Sequence, residues 1–232
     1  MSAIQQDFDR LALLDSEGWT HNNHYHNFLL RYLPNNCGNA LEIGCGTGAF
    51  AHRLAERAQH VVAIDLSSEM IRVARSRLAH VLNLEFKVAD ARSWPFPNEY
   101  FDCVASIATL HHLEARETLR MMKASLTAGG VLIILDLFQP EPGVVRLLGL
   151  NDLFSNIVAM AVSGSLRLLH NGRLKPPREV QAAWDAHGKH DRHLSMNEVH
   201  NLCNELLPGA QVRQHLLWRY SIIWQKSRRQ TN

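Results

Sequence analysis

The sequence is poor in the features that mark whole classes of protein. Its four cysteines, Cys37, Cys45, Cys103 and Cys203, are scattered and form no paired metal motif. The start of the chain carries no signal-peptide pattern, so a reducing, cytoplasmic setting is expected. An excess of one charge is missing too. The 24 Lys and Arg nearly balance 22 Asp and Glu, for a formal charge of +2. That balance gives no general attraction to nucleic acid or to an acidic membrane. The most apolar stretch, 144–169, is broken by Arg146, Asn151, Asp152, Asn156 and Arg167. Its clean portion is far shorter than the ~20 residues of a spanning helix, which leaves only peripheral membrane contact open. Internal repeats and low-complexity segments are absent. What remains is a chain of 232 residues with 46% hydrophobic content. Such a chain makes one α/β domain with an insertion, or at most two small domains, and can fill a sizeable core.

The rest of the chain is organised around residues 40–51, Ala-Leu-Glu-Ile-Gly-Cys-Gly-Thr-Gly-Ala-Phe-Ala. Apolar residues fit for a buried strand pass into closely spaced glycines and then into a helical pattern. Strand, glycine turn and helix is how an α/β sheet presents backbone to a nucleotide-like ligand. Gly44, Gly46 and Gly48 would allow unusual backbone angles and let a ligand approach without meeting a Cβ. Cys45, between them, reads as a small filler, since no base partner is evident. A second apolar run, 59–64, ends in Asp65, which would stand at the carboxyl end of a buried strand and accept ribose hydroxyls.

Two cofactors compete for this loop. Gly44-x-Gly46-x-x-Ala49 with Asp65 about 20 residues on satisfies a loose dinucleotide fingerprint. Glu42 argues otherwise: a carboxylate there would repel a pyrophosphate but suits an ammonium and a sulfonium. Glu42-x-Gly44-x-Gly46-x-Gly48 closely resembles the first motif of the class I S-adenosylmethionine-dependent methyltransferases. The resemblance covers about 40–138 and implies that Glu42, Gly44, Cys45, Gly46, Gly48 and Asp65 bind S-adenosyl-L-methionine. It further implies that Leu66 and Met70 flank the adenine, and that Asp90 and Ala91 read its amine and ring. Ser106, in the fourth-strand segment, completes the expected set. For Met70 core packing is the alternative, and for Asp90 the capping of a turn.

The remaining elements follow in order. Helices are expected over the first 35 residues, the second at 22–33. The third strand is expected at 84–88, the fourth at 100–107, a helix at 114–128 stopped by Gly129-Gly130, and the fifth strand at 131–138. Regularity fails over 139–193, a helical insertion with an apolar surface and a basic loop of Arg173, Lys175 and Arg178. Ser195 and Glu198 form a capping-box signature for the next helix. Two closely linked strands within 211–225 imply antiparallel pairing. The resembling family ends with such an antiparallel strand, unlike dehydrogenase domains.

His111 and His112, after the fourth strand, are the candidate general bases, because histidine titrates near neutral pH. The alternative is a structural pair. The segment lacks the Asn/Asp-Pro-Pro-Tyr signature of methyltransferases that act on base amines. Tyr25 and His26 are candidate pocket residues, since N-terminal helices often cover the pocket in that family. No metal is expected: His21 with His24, and His187 with His190 and His193, lack the ligands or the regularity.

The expected fold is a doubly wound α/β architecture, a mostly parallel seven-stranded sheet with an antiparallel last strand and a helical cap. Residues 1–36 would form the N-terminal cap, 37–138 and 194–226 the Rossmann-like core, 139–193 the substrate cap, and 227–232 a loose tail. The expected activity is methyl transfer to a small, partly hydrophobic acceptor at oxygen, nitrogen or carbon. An NAD(P)-dependent oxidoreductase and a non-catalytic S-adenosylmethionine- or RNA-binding module stay open as alternatives.

Overall fold

The computed structural model describes residues 3–14, 18–139, 149–188 and 193–228. Seven strands form one sheet in the order β3-β2-β1-β4-β5-β7-β6. They are β1 (Cys37–Ile43), β2 (Ala58–Asp65), β3 (Leu84–Val88), β4 (Phe101–Ile107), β5 (Leu126–Leu137), β6 (Gln211–His215) and β7 (Arg219–Gln225). The first five are mutually parallel; β7 runs antiparallel to both β5 and β6. The sheet is therefore the mixed seven-stranded one expected. From β1 the chain winds outward to β3, then returns to β4 on the other side. The loops after β1 and β4 consequently diverge at a topological switch point, where α/β sheets open a crevice for ligands.

Helices cover both faces: α3 (Ala49–Ala55) and α4 (Ser68–Arg77) on the first half, α5 (Ala115–Ser125) and α8 (Met196–Leu206) on the second. The central strands are apolar on both sides because both sides are covered. Leu41, Ala105, Leu132 and Ile133 are all fully buried. The Ser195–Glu198 capping box forms, with Glu198 N donating to Ser195 Oγ at 3.2 Å and Ser195 N to Glu198 Oε2 at 2.8 Å.

Two boundaries differ from the sequence pattern. The helix expected over 114–128 stops at Ser125, and β5 starts at Leu126 and runs through both glycines. A register shift against β4 falls there, and a Cβ on Gly130 would lie 3.0 Å from the Phe101 carbonyl. The glycines thus mark a bulge within the strand rather than a stop before it. The helix expected over 22–33 is broken into 3-10 turns Asn23–Tyr25 and Leu30–Tyr32 around α2 (His26–Leu29). Asn23 competes for backbone: its side chain takes Thr20 N at 2.8 Å and gives to Gly18 O at 2.7 Å.

The insertion contributes α6 (Gly149–Asn171) and α7 (Arg178–His187). Phe138 bridges Leu194, and Gln139 N donates to Leu194 O at 3.0 Å, so the excursion leaves and returns at one point beside β5. The apolar positions 144–148, His190 and the tail from 229 lie outside the described residues. Asn171 ties α6 to the N-terminal segment, accepting from Trp19 N at 2.7 Å and donating to Trp19 O at 3.0 Å. Helix α1 (Ala3–Leu14) packs on α4 and α7. No described helix is long and apolar enough to cross a membrane.

Candidate active site

A cavity of about 890 Å³ opens at the carboxyl edge of the sheet, roofed by α1, residues 18–26, α6 and α7. Its floor begins at the glycine loop. Gly44 N and Cys45 N both donate to Ile64 O, at 2.8 and 3.0 Å, which draws the loop onto the end of β2. Gly44 has φ +71°, and a Cβ there would fall 2.0 Å from Thr109 Oγ1. Gly46 has φ +53° and meets nothing within 4 Å, so its missing side chain leaves open cavity. Asp65 fixes this shape: Oδ2 accepts from Gly46 N at 2.8 Å and Oδ1 from Ser67 N at 2.9 Å. Ser67 in turn donates to Asp9 Oδ1 at 2.5 Å, so α1 is anchored to the same corner.

Glu42 is only 2% exposed, and its Oε2 has no hydrogen-bond partner among the described residues. Burial, then the neighbouring Asp65, push its carboxyl well above the usual range, against the opposing pull of the Ala51 N–H. Burial raises Asp65 as well. Two buried acids beside an open glycine cradle make a place for a positive charge next to a sugar-like diol. Cys45 is an inert filler here; burial, Glu42 and Asp65 all raise its thiol.

Leu66, Met70, Asp90 and Ala91 line the same cavity. The Asp90 carboxylate is forked onto Arg92, with Nη2 to Oδ2 at 2.6 Å, which holds it below the ordinary range. His26 also lines the cavity, packing on Phe50, and burial lowers it to about 4. Two expected residues stand elsewhere. Ser106 is fully buried inside β4, paired between Ile43 and Ile134, and it is the next residue, Ile107, that reaches the cavity. Tyr25 faces away from the cavity, its ring on His215 and its hydroxyl donating to Leu216 O. One residue of rotation in the 3-10 turn separates it from His26.

Both histidines after β4 reach the cavity, on a 3-10 turn over Leu110–His112. Asp136, at the end of β5, holds His111 twice: Oδ2 accepts its backbone N–H at 2.9 Å, and Oδ1 meets Nδ1 at 2.6 Å. A carboxylate at Nδ1 makes that nitrogen the donor and Nε2 the basic one. Asp136 is wholly buried. His112 stands at 3.4 Å from His187 on α7, Nε2 to Nε2, and burial, His111, His187 and His193 drop it to about 3. It is neutral at any ordinary pH. The His193 ring lies tilted against His111, 4.8 Å between ring centroids. Among the described residues no group of three His, Cys, Asp or Glu could hold a metal ion.

The sequence pattern passed over Asp136, although an acid ending an apolar strand is the same signal that picked out Asp65. In the sequence, the spacing of His187 and His193 raises only the question of a metal. Arg219 had no signal at all: it opens β7 and lines the cavity only because β7 is inserted next to β5.

A family model described as a methyltransferase domain matches residues 40–130. The chain is 30% identical to an uncharacterized methyltransferase of Mycobacterium bovis over 209 residues, 89% of this chain and 96% of the relative. It is 36% identical over 107 residues to a demethylmenaquinone methyltransferase of Clavibacter sepedonicus, covering 46% of this chain and 44% of that one. Among solved structures, its fold is similar to that of the N-methyltransferase NodS of Bradyrhizobium japonicum in complex with S-adenosylhomocysteine. The TM-score is 0.62 at 18% identity, covering 97% of this chain and 99% of that one.

Proposed function

Because this chain belongs to the class I S-adenosylmethionine-dependent methyltransferases, we propose that it methylates a small, partly hydrophobic acceptor held beside His111. Family membership sets aside the oxidoreductase and the non-catalytic module. The observation that carries the acceptor chemistry is the Asp136–His111 pair, whose histidine lines the same cavity as the acidic glycine loop.

The residues fit the cofactor. Glu42 offers the unpartnered oxygen of its buried carboxylate to the cofactor's ammonium, Gly46 leaves the space a ligand needs, and Asp65 faces the ribose position. Leu66 and Met70 would flank the adenine, with Asp90 and Ala91 at its edge. The cofactor, when bound, supplies a methyl group already made electrophilic by the sulfonium. The protein's part is then alignment, exclusion of water and proton removal. His111 accepts the proton of the acceptor at Nε2, while Asp136 holds the ring and stabilises the imidazolium that results. His112, kept neutral, adds no competing positive charge at that point.

The described parts of 1–36 and 139–193 act as the cap. Phe8, Leu11, Trp19, Leu113, Val180 and Trp184 give the cavity apolar walls, which suits a phenolic or quinone-like acceptor. The match to a demethylmenaquinone methyltransferase agrees with that class.

Calorimetric titration with S-adenosylmethionine, S-adenosylhomocysteine and NADH tests the cofactor. Micromolar binding of the sulfur ligands, lost in Asp65→Ala, is expected. Binding of NADH alone by folded protein would overturn the reading. A screen of phenols, quinols and amines then tests the acceptor. Turnover of a hydroxyl or acidic carbon that collapses in His111→Gln is expected, and undiminished turnover in that variant would remove His111 from the mechanism.

A further inference from the structure

The roof of the cavity carries a group of cations that the methyl-transfer machinery does not use. Arg219 is 8% exposed and opens β7. Its Nε donates to Asn22 Oδ1 at 2.8 Å, and Nη1 donates to Leu217 O at 3.2 Å and Trp218 O at 3.4 Å. Nη2 has no acceptor among the described residues. Burial lowers this guanidinium to about 10, with Asp136 and Tyr25 pulling the other way. Asp136, the carboxylate that acts on it, already takes His111 at two atoms.

A second arginine converges on the same place from the insertion. His21 Nε2 meets Ser163 Oγ at 2.7 Å on α6, one helical turn before Arg167. The dipeptide His21-Asn22 therefore ties Arg219, through Asn22, to the stretch of α6 that carries Arg167, through His21 and Ser163. Both arginines act on His21, which burial, Arg219 and then Arg167 bring down to about 4. Among the described residues Arg167 has no ion pair or hydrogen bond; its guanidinium lies 6.0 Å from the Trp19 ring centroid. Burial and Arg173 lower it. Arg167, Arg173 and Arg219 all line the cavity.

The sheet order says how this place relates to the rest. Glu42 is on β1, His111 follows β4 with Asp136 on β5, and Arg219 is on β7. At ~4.8 Å per strand, Arg219 stands ~14 Å from the acidic end, with the His111–Asp136 pair between them. Arg167 and Arg219, neither of them ion-paired to a carboxylate among the described residues, are arranged for an oxyanion, which arginine holds as a fork.

The geometry points to an anionic subsite for the methyl acceptor, in which Arg167 and Arg219 hold a carboxylate or phosphate on the substrate. This rests on the methyltransferase reading of the cavity. It narrows the acceptor to a molecule with an apolar body and an acidic group across the base from the methyl donor. The cofactor's own carboxylate is the other oxyanion of this chemistry, and the test separates the two.

Benzoate, phenyl phosphate and neutral benzamide are titrated into protein loaded with S-adenosylhomocysteine, for the natural chain and for Arg167→Met and Arg219→Met. The two anions are expected to bind and benzamide not to. Each variant is expected to weaken the anions about tenfold and leave S-adenosylhomocysteine affinity within about twofold. Equal binding of benzamide, or anion binding untouched in Arg167→Met, would overturn the inference. So would a loss of S-adenosylhomocysteine affinity in Arg167→Met, since the arginines would then serve the cofactor. Arg167 makes no hydrogen bond or ion pair among the described residues, so its variant decides the matter even if Arg219→Met fails to fold. If S-adenosylhomocysteine does not bind the natural protein, the proposed function fails, and the same anion titrations without it still decide the subsite.

Discussion

Replacing Glu42 by Gln should make the cofactor-free protein more stable and the cofactor complex weaker. The reasoning starts from a buried carboxylate with an unpartnered oxygen beside a second buried acid. Its folded-state pKa is raised, first by burial and then by Asp65. A carboxyl raised in this way contributes its full stability below the ordinary carboxylate range. That contribution is lost as pH rises through the folded value, because the folded state then gives up a proton it held more tightly. Asp65 acts in the same direction. The natural protein without cofactor should therefore lose stability from mildly acidic towards neutral pH, and Glu42→Gln should show a shallower slope. At pH 7 a relief of about 1 kcal/mol would raise the melting midpoint by ~2–4 °C for a chain of this size. The complex should move the other way. One charge-assisted hydrogen bond to the ligand ammonium is worth about 1.5–3 kcal/mol, or roughly a 10- to 150-fold loss in affinity for S-adenosylhomocysteine. Thermal melts across pH and calorimetry in two buffers of different ionisation enthalpy measure both effects. The natural protein should release protons on binding as Glu42 ionises, and the variant should release fewer. A variant that melts no higher at pH 7 and binds S-adenosylhomocysteine within about twofold would refute the assignment of Glu42 as the ammonium partner.

The glycine loop gives a paired prediction. Gly44→Ala should destabilise the fold by more than ~1 kcal/mol, since its Cβ overlaps Thr109 at a φ of +71°. Gly46→Ala should cost only the ~1–2 kcal/mol of a left-handed alanine and instead lower S-adenosylhomocysteine affinity at least tenfold; chemical denaturation and calorimetry separate the two. Asp136→Asn should leave S-adenosylhomocysteine binding unchanged and lower kcat by about 10²–10⁴, because the amide cannot accept at all three N–H groups that the carboxylate holds, His111 N, His111 Nδ1 and Leu137 N. Nitrogen NMR of the His111 ring should report the change of tautomer. Ser195→Ala should lower stability by about 1 kcal/mol through loss of the capping box, with no effect on ligand binding.

Several parts of this protein could be read without coordinates because they are written in contiguous residues. The glycine loop, the acids closing β2 and β3 and the Ser195 cap each depend on a few neighbours, and local backbone geometry decides them. The antiparallel β6–β7 pair was legible for the same reason, since a short link leaves no room for a crossover. Ser106 and Tyr25 mark the resolution of that method. Strand and 3-10 geometry turn adjacent residues to different surroundings, so Ile107 and His26 reach the cavity where Ser106 and Tyr25 do not. A one-residue difference is invisible to a motif whose strand end is uncertain by that much.

The base and the cap belong to tertiary structure. His111 meets Asp136 across 25 residues, His112 meets His187 across 75, Trp19 is clamped by Asn171 across 152, and Asn22 reaches Arg219 across 197. None of these pairs has a spacing signal, because each is created by which strands lie next to each other and by where the insertion returns. The sequence alone determined a nucleotide-like cradle with a charge preference, since φ > 0 glycines and strand-end acids are local requirements. Only the folded chain decided which histidine has a carboxylate behind it and which arginines face the cavity, because those depend on inserting β7 beside β5 and docking α6 over the sheet.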